Sequence, residues 1–591
     1  MNFVKTFLAG LLAVVVGSVV VFVVWLVMLL GLAGSMGSTT TPVESDSILK
    51  IDLSEMITDA PAANPFAGVD FQTLEVTPQL SLMQVLRALD AAAGDERIKG
   101  IYLRLNGEGG IETGVMEELR EAIVQFKESG KFVVAYNESY KQGAYYLATA
   151  ADKIYLQPEG SMDWSGMAQT TMFFKGLLDK LDVKMEIFRP TVCKYKSAVE
   201  PFFLKKMSPE NRAQMQAMMD DIWGVITEAV SASRNIPVEE LNRLADNLEV
   251  VLPQEALKHK FVDGVIFEDQ MNDIFAELGV KAHDDEYRFV TLGEYAAQVG
   301  PDLKKLSSPE VAVVYANGQI VDGEGTGEQI FGNSLAAQIK KVRLDEKVKA
   351  VVLRVNSPGG SALASDVIWR EVELLKAEKP VVVSMGSYAA SGGYYISCPA
   401  DVIVADKMTL TGSIGVFGMA MNPHNALENK LGITIDGVKT NRSSGMGQLA
   451  PLSRTERASI MRGVDRVYET FTGHVSKGRN LPIERVLEIA EGRVWSGTKA
   501  LEIGLVDANG GLKTAIALAV EKAGLGENYR VNERLEMPTG VAAIFSAFSA
   551  RVKASWEASE LGVMMQQYRT VQEALSQQGV VMYSPYKVTL E

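Results

Sequence analysis

The chain has 591 residues, of which 47% are hydrophobic, so it is long and apolar enough to form more than one domain with a large core. Its net charge of −15 argues against binding to nucleic acid, because contact with phosphates requires a basic surface. Two cysteines, Cys193 and Cys398, and four scattered histidines form neither a disulfide framework nor a metal-binding motif, so we expect no metal and no cofactor.

The N-terminal segment predicts a membrane anchor. No charged residue occurs between Lys5 and Glu44, and most of this stretch is apolar. About 20 apolar residues span a bilayer as a helix, whereas the core of a cleaved signal peptide has only about 7–15. We therefore expect residues 1–34 to be an uncleaved transmembrane helix in contact with lipid, with Lys5 in the cytoplasm and the rest of the chain outside it. A cleaved signal peptide is the alternative, because residues 31–37 are small enough to form a cleavage site.

A polar linker of small residues, 35–47, precedes a segment that occurs twice. Residues 95–110, DERIKGIYLRLNGEGG, reappear as residues 345–360, DEKVKAVVLRVNSPGG. Residues 143–152 likewise reappear as residues 392–401. The chain is therefore a tandem duplication, and its two halves are called the first and second copy below.

Strands alternate with helices in both copies, which predicts parallel βαβ units and an α/β fold. The predicted elements of the first copy are Ile48–Leu53 (strand), Leu82–Ala93 (helix), Gly100–Leu105 (strand), Glu117–Phe126 (helix), Phe132–Tyr136 (strand) and 212–247 (helical). Those of the second copy are Val311–Ala316 (strand), Leu335–Val342 (helix), Ala350–Val355 (strand), Ala364–Leu375 (helix), Val381–Ser384 (strand) and 457–489 (helical). The predicted domains are 48–300 and 301–537, followed by a helical tail at 538–591 with its helix at Ser555–Gln578.

The two copies differ in the residues that could carry chemistry. Ser413 lies in a Gly-Ser-Ile-Gly turn of the second copy, and the matching residue of the first copy is Trp164. Lys196 lies in a Tyr-Lys-Ser-Ala segment of the first copy, and the matching residue of the second copy is Asn441. A duplication that divides a serine and a lysine between its halves indicates one active site built from two domains.

A serine nucleophile needs a base, and Lys196 is the better candidate. The pKa of an exposed lysine is about 10.4, but burial lowers that pKa by several units. Apolar neighbours such as Val199 predict a site from which water is excluded. Lys194 would point the other way in an extended strand, so we expect one of the two lysines to be buried and the other solvated. His424, the histidine nearest to the serine in sequence, lies in a predicted Asn-Pro-His-Asn loop.

Two glycines and a second serine complete the candidate site. Gly359 and Gly360 follow a predicted strand and precede a predicted helix, so exposed backbone amides there would suit an oxyanion hole. The alternative is a tight structural turn, because the first copy keeps a glycine pair without a serine. Ser391, in an Ala-Ser-Gly-Gly-Tyr-Tyr segment, competes with Ser413 for the role of nucleophile. We favour Ser413 and expect Ser391 to cap the helix that follows it.

These motifs together resemble the signal peptide peptidase A (protease IV) family, peptidase family S49, in its long duplicated bacterial form. The resemblance covers residues 48 to about 530, and the segments that carry it are 195–202, 356–360, 390–395 and 411–416. It implies a Clp-protease/crotonase-like fold, a homotetramer, and an anchor in the bacterial inner membrane with catalysis on the periplasmic side. It also implies that Ser413 is the nucleophile, that Lys196 is the general base, and that remnant signal peptides are the substrates.

The sequence therefore predicts a membrane-anchored serine endopeptidase with a Ser–Lys dyad, which cleaves extended apolar peptides without a cofactor or metal. One alternative is a crotonase-like acyl-CoA enzyme, because such folds share the glycine oxyanion hole. The other is a non-catalytic membrane scaffold that has kept the duplicated fold. The membrane anchor and the division of serine and lysine between the copies argue against the acyl-CoA enzyme. An intact serine and lysine in complementary copies argue against the scaffold. The sequence leaves open whether the lysine meets a serine of its own chain or of a neighbour.

Overall fold

In the computed structural model, the described residues are 42–53, 56–62, 79–106, 111–300, 307–446, 449–535 and 580–583. The predicted transmembrane helix at 1–34 and the predicted tail helix Ser555–Gln578 lie outside them. Among the residues that are described, no helix is both long and apolar enough to cross a membrane.

The first copy forms a six-stranded sheet in which every neighbouring pair of strands is parallel. Its strands are, in spatial order, Gly264–Val265, Lys153–Met162, Phe132–Tyr140, Ile98–Arg104, Ser47–Asp52 and Arg288–Thr291. The central strand Ile98–Arg104 is buried along nearly its whole length, as expected for a parallel sheet covered on both faces.

The second copy repeats this strand order within an eight-stranded sheet. The six corresponding strands are, in spatial order, Ala508–Asn509, Val402–Ala405, Val381–Ala390, Val348–Ser357, Glu310–Asn317 and Arg530–Arg534. Two further strands, Leu410–Gly412 and Val494–Ser496, extend the sheet beside the last residues of Val381–Ala390. The shared order shows the duplication at the level of the fold and confirms the predicted α/β architecture with parallel sheets.

Helices connect these strands, and the two predicted long helical regions each contain two helices. The helices of the first copy are Leu82–Gly94, Thr113–Lys127, Gln142–Ala148, Lys175–Lys180, Glu200–Phe203, Pro209–Arg234, Val238–Asp246, Pro253–Lys258, Met271–Glu277 and Leu292–Val299. Those of the second copy are Gly332–Leu344, Ala362–Lys376, Gly392–Ser397, His424–Leu431, Arg454–Arg479, Ile483–Ile489, Gly497–Glu502 and Leu512–Ala523.

A third sheet joins the two copies. Lys184–Phe188 of the first copy pairs with Phe417–Asn422 of the second. The C-terminal segment Val580–Tyr583 lies in the same sheet, between Phe417–Asn422 and Gly359–Ser361. This described part of the tail is a strand, because it pairs on both edges and begins with two β-branched valines, and it lies beyond the predicted helix Ser555–Gln578. The remaining short strands are Ile320–Val321 and Ile330–Phe331 in this sheet, and the separate pair Met56–Thr58 and Gln79–Ser81.

A buried ion cluster also joins the copies. Arg354 of the second copy is fully buried, and its Nη2 lies 2.5 Å from a carboxylate oxygen of Asp59 and 2.7 Å from one of Glu118. Both carboxylates belong to the first copy. Because a buried charge is tolerated only when it is paired, this cluster fixes the way in which the two copies face each other.

Candidate active site

Both candidate serines lie at the carboxyl ends of neighbouring parallel strands. Ser391 follows the strand Val381–Ala390, and Ser413 follows the strand Leu410–Gly412. The two strands pair in register at their last residues, so the two serines leave the sheet at the same edge. Both serines are buried, with 0% and 1% of their surface exposed.

Lys196 reaches this edge from the first copy. It immediately precedes the short 3₁₀ turn Ser197–Val199. The segment is held against the second copy because the backbone amide of Tyr195 donates to the carbonyl of Glu491 at 3.1 Å. The neighbouring Lys194 is exposed whereas Lys196 is buried, which confirms that one of the two lysines is solvated.

The amine of Lys196 contacts both serines. Its Nζ lies 2.7 Å from the Oγ of Ser391 and 2.8 Å from the Oγ of Ser413. It also donates to the backbone carbonyl of Ser413 at 3.0 Å. The structure therefore brings together the residues that the duplication divides, and a single chain supplies all three.

Burial changes the acid–base chemistry of Lys196. Its side chain is among the largest that are fully buried, and this loss of solvation lowers the pKa of Lys196 to about 7. The serine hydroxyls and the serine carbonyl around Nζ are uncharged and offer the ammonium form no counter-charge. A large fraction of the amine is therefore neutral near pH 7, and a neutral amine accepts a proton from a hydroxyl in contact with it.

The role predicted for Ser391 as a helix cap is wrong. Ser391 occupies the N-cap position of the helix Gly392–Ser397, but its side chain makes no capping hydrogen bond. Its backbone φ of 57° and ψ of −114° lie in a region that residues other than glycine avoid. In this conformation the hydroxyl contacts Lys196 and not the first turn of the helix. A strained turn from strand to helix is also how some hydrolases present a nucleophilic serine.

Gly359 and Gly360 lie beside the residue that follows Ser391, but they are not the exposed turn that the sequence predicts. Both glycines are buried in the short strand Gly359–Ser361, which pairs on both edges. Gly359 has a φ of 97°, and a Cβ built on it would lie 2.5 Å from the amide nitrogen of Gly392. Only glycine allows so close an approach, so the pair packs directly against the turn that carries Ser391.

In the first copy, the residues that match the two serines stabilise the fold. Trp164, which matches Ser413, is buried and donates from Nε1 to a backbone carbonyl at 2.9 Å. Gln142, which matches Ser391, accepts hydrogen bonds from two backbone amides at 3.0 and 2.8 Å. These contacts stabilise the fold, so at this site the first copy contributes the lysine and the second copy contributes the serines.

Sequence reasoning missed the turn at residues 491–493, which positions the lysine. The carbonyl of Arg493 accepts from the amide of Ser413 at 2.7 Å. Gly492 has a φ of 77°, and a Cβ built on it would lie 2.6 Å from the Cβ of Lys196. The turn therefore fixes serine and lysine relative to each other. A lone Glu-Gly-Arg segment, about 80 residues beyond the serine motif, carries no signal by which this role could have been found.

The histidine considered as an alternative base lies in a helix and not in the predicted loop. His424 is the first residue of His424–Leu431, and the side chain of Asn422 accepts from its backbone amide at 3.1 Å. Such a contact stabilises the start of a helix, which explains the difference. Within the described ranges, no group of His, Cys, Asp and Glu side chains could hold a metal ion.

Known proteins are similar to this chain in both of its copies. The sequence model of peptidase family S49 matches residues 125–281 and 373–526. Protease 4 of Salmonella typhi is 37% identical over 86% of this chain and 83% of its own length. Protease 4 of Haemophilus influenzae is 39% identical over 75% of this chain and 73% of its own length. A putative signal peptide peptidase SppA of Enterococcus faecium is 39% identical over 34% of this chain and 61% of its own length. The two matched regions contain Lys196, Ser391 and Ser413.

Proposed function

The chain belongs to peptidase family S49 and is a serine peptidase, and from this premise we propose that Lys196 is its general base and Ser391 its nucleophile. The observation that carries the proposal is the 2.7 Å separation between the Nζ of Lys196 and the Oγ of Ser391. Membership of a peptidase family also decides against the acyl-CoA enzyme and the non-catalytic scaffold considered as alternatives.

The backbone around Ser391 supports its assignment as the nucleophile. The strained conformation of Ser391 directs its hydroxyl to the lysine. The following residue, Gly392, packs so closely on the glycine pair that a Cβ on it would lie 3.1 Å from the amide nitrogen of Gly360. We propose that backbone amides of Gly359 and Gly360 stabilise the oxyanion when Ser391 attacks a carbonyl, since the glycines adjoin its turn.

Ser413 fits a role in positioning the lysine. Its hydroxyl donates to the carbonyl of Gly492 at 3.4 Å, and its Oγ and carbonyl both contact the Nζ of Lys196. These contacts hold the amine next to the Oγ of Ser391. The sequence-based choice of Ser413 as the nucleophile stays a prediction, and the variants described below distinguish the two serines.

The proposed reaction proceeds through an acyl-enzyme. Neutral Lys196 takes the hydroxyl proton of Ser391 as the Oγ attacks the carbonyl carbon of the peptide bond. The C–N bond then breaks, and the lysine ammonium gives its proton to the departing amine. A water molecule next loses a proton to Lys196 as it attacks the acyl ester. The lysine returns this proton to Ser391, which releases the carboxylic acid and restores the enzyme.

We propose extended apolar peptides, such as remnant signal peptides, as the substrates. The serine and the lysine are buried, so a peptide bond inside a folded protein could not reach them. An extended peptide can reach such a site by pairing with the edges of neighbouring strands. The Enterococcus faecium relative is a putative signal peptide peptidase, which agrees with this substrate class.

The proposal includes the membrane anchor and the homotetramer implied by the resemblance. The apolar N-terminal run supports an anchor at residues 1–34 in the bacterial inner membrane, with both copies on the periplasmic side. Extraction with alkaline carbonate should leave the full chain in the membrane pellet, and its release would contradict anchoring. Light scattering of the detergent-solubilised chain should give the mass of four subunits, and a monomer would contradict the tetramer.

Four single variants and one double variant, assayed on a synthetic signal peptide, test the assignment. Ser391→Ala and Lys196→Ala should each lower kcat/KM by on the order of 10⁴-fold, and their combination should add little because the residues act as one unit. Ser413→Ala should lower kcat by about 10–100-fold, because it misplaces the amine without removing the nucleophile. The exposed Lys194→Ala is the matched control and should keep full activity. Loss of activity in Ser413→Ala together with retention in Ser391→Ala would make Ser413 the nucleophile.

A further inference from the structure

A buried glutamine lies behind the segment that carries Lys196. Gln214 belongs to the helix Pro209–Arg234 of the first copy, and only 1% of its surface is exposed. Its Nε2 donates to the backbone carbonyl of Tyr195 at 3.0 Å and to the Oγ of Ser197 at 2.8 Å. The glutamine therefore holds the residues on both sides of the lysine.

The other end of the same amide group reaches the second copy. The Oε1 of Gln214 accepts from the backbone amide of Val494 at 3.2 Å. Val494 pairs with Gly412 in the sheet, and Gly412 directly precedes Ser413. The carbonyl of Gly412 also accepts from the backbone amide of Ser391 at 2.8 Å. One side chain thus links the lysine segment to the strands that fix the positions of both serines.

Neighbouring polar groups fix the orientation of the glutamine. Its Nε2 also donates to the Oδ1 of Asn211, one turn earlier on the helix, at 3.5 Å. Asn211 in turn donates to the buried carboxylate of Glu200 at 2.9 Å, and the hydroxyl of Ser208 donates to the same carboxylate at 2.5 Å. A buried polar network of this kind restricts its members to one arrangement, so the amide group of Gln214 is held in a fixed conformation.

Only an amide side chain of this length supplies both kinds of hydrogen bond. The carbonyl of Tyr195 needs a donor and the backbone amide of Val494 needs an acceptor, and the side chain of glutamine has both. Methionine has nearly the same length and shape, but it supplies no donor and only a weak acceptor. Replacing Gln214 with methionine therefore removes the link between the copies while largely keeping the packing.

We propose that Gln214 is a positioning residue, which holds the amine of Lys196 against the hydroxyls of the two serines and keeps the lysine segment closed to water. The proposal rests on the proposed function, because the glutamine acts through the same lysine. Without its hydrogen bonds, the lysine segment can shift relative to the strands that carry the serines. A displacement of about 1 Å is enough to slow such a reaction about 100-fold.

The charges around the lysine segment show that closure to water matters for its chemistry. The titratable residues that surround this segment are Arg189, Cys193, Glu200, Tyr468, Glu491 and Arg493. Burial raises the pKa of the Cys193 thiol to about 11, so this group is neutral at pH 7. The amine itself bonds only to serine oxygens, and burial is the main cause of its pKa of about 7. A loosened segment would admit water and raise the pKa of Lys196 toward its ordinary value of about 10.4.

The pH profile of Gln214→Met on a synthetic signal peptide tests the proposal. At pH 7, kcat should fall about 10–100-fold with little change in KM, and the midpoint of the kcat/KM profile should rise by about one pH unit or more. Gln216→Met, the same substitution at an exposed position of the same helix, is the matched control and should behave like the wild type. A glutamine that only stabilises the fold would lower the melting temperature and leave kcat and the midpoint unchanged, and this result would overturn the proposal.

Ser197→Ala is a second test that leaves the glutamine in place. It removes the hydroxyl that accepts one hydrogen bond of Nε2, so kcat should fall about threefold to tenfold and the midpoint should rise by less than in Gln214→Met. If Gln214→Met does not fold, an unchanged kcat and midpoint in Ser197→Ala would overturn the proposal. An active Lys196→Ala chain would reject the proposed function itself. A wild type that depends on Lys196, together with an unchanged Gln214→Met, would reject the positioning role alone.

Discussion

The pH dependence of cleavage follows from the burial of Lys196. Only the neutral amine can take the serine proton, so activity must fall as the pH falls through the pKa of the lysine. An exposed lysine with a pKa of about 10.4 would be neutral in only about 0.04% of molecules at pH 7. Burial lowers the pKa of Lys196 to about 7, which makes about half of the amine neutral at that pH. This difference corresponds to about a thousandfold more of the reactive form.

The assay is kcat/KM for a signal peptide between pH 5 and pH 10. Below pH 7, kcat/KM should fall about tenfold for each pH unit, and above about pH 8 it should be constant. Lys196→Arg is the control, because arginine keeps its charge and should be inactive throughout this range. A profile that still rises between pH 8 and pH 10 would show a lysine with its ordinary pKa. A midpoint near pH 4 would show that a carboxylate is the base.

Three further variants test the structure around the site. Arg354→Met should lower the free energy of unfolding in urea by about 3–5 kcal/mol, because it leaves two buried carboxylates unpaired. The surface control Arg485→Ala should lower this free energy by less than about 1 kcal/mol. Equal effects of the two variants would contradict the buried cluster. Trp164→Ala should cost about 3–5 kcal/mol of stability and keep kcat, and a loss of kcat in folded protein would give the tryptophan a role in catalysis. Gly492→Ala should lower kcat about 100-fold with little change in KM, because the Cβ of the alanine would displace Lys196. An unchanged kcat would contradict the close packing of Gly492 against Lys196.

The duplication made most of the fold predictable. Each copy alternates apolar strands with helices, and such periodicity depends on local sequence. The predicted strand Val381–Ser384 and helix Ala364–Leu375 therefore fall inside the observed Val381–Ala390 and Ala362–Lys376. The comparison of the two copies also identified Lys196 as a candidate, because the matching residue of the second copy is not a lysine.

The features that sequence reasoning missed or placed incorrectly depend on backbone conformation or on distant contacts. Ser391 stands before a helix, where serine usually caps, and only its φ of 57° shows that the side chain turns to the lysine instead. The turn that contains Gly492 acts through close packing against Lys196, which no local pattern records. The strand Val580–Tyr583 forms by pairing with two segments far away in the chain, so its own four residues could not predict it.

Covalent labelling identifies the nucleophile without relying on the effects of mutations. The full-length chain is treated with a fluorophosphonate at pH 8, digested, and mapped by mass spectrometry, because such reagents bond to a serine that a base has activated. We expect one adduct, on the Oγ of Ser391, and no adduct in Lys196→Arg. An adduct on Ser413 would exchange the roles of the two serines. An adduct that forms equally in Lys196→Arg would remove the lysine as the base and contradict the Ser–Lys mechanism.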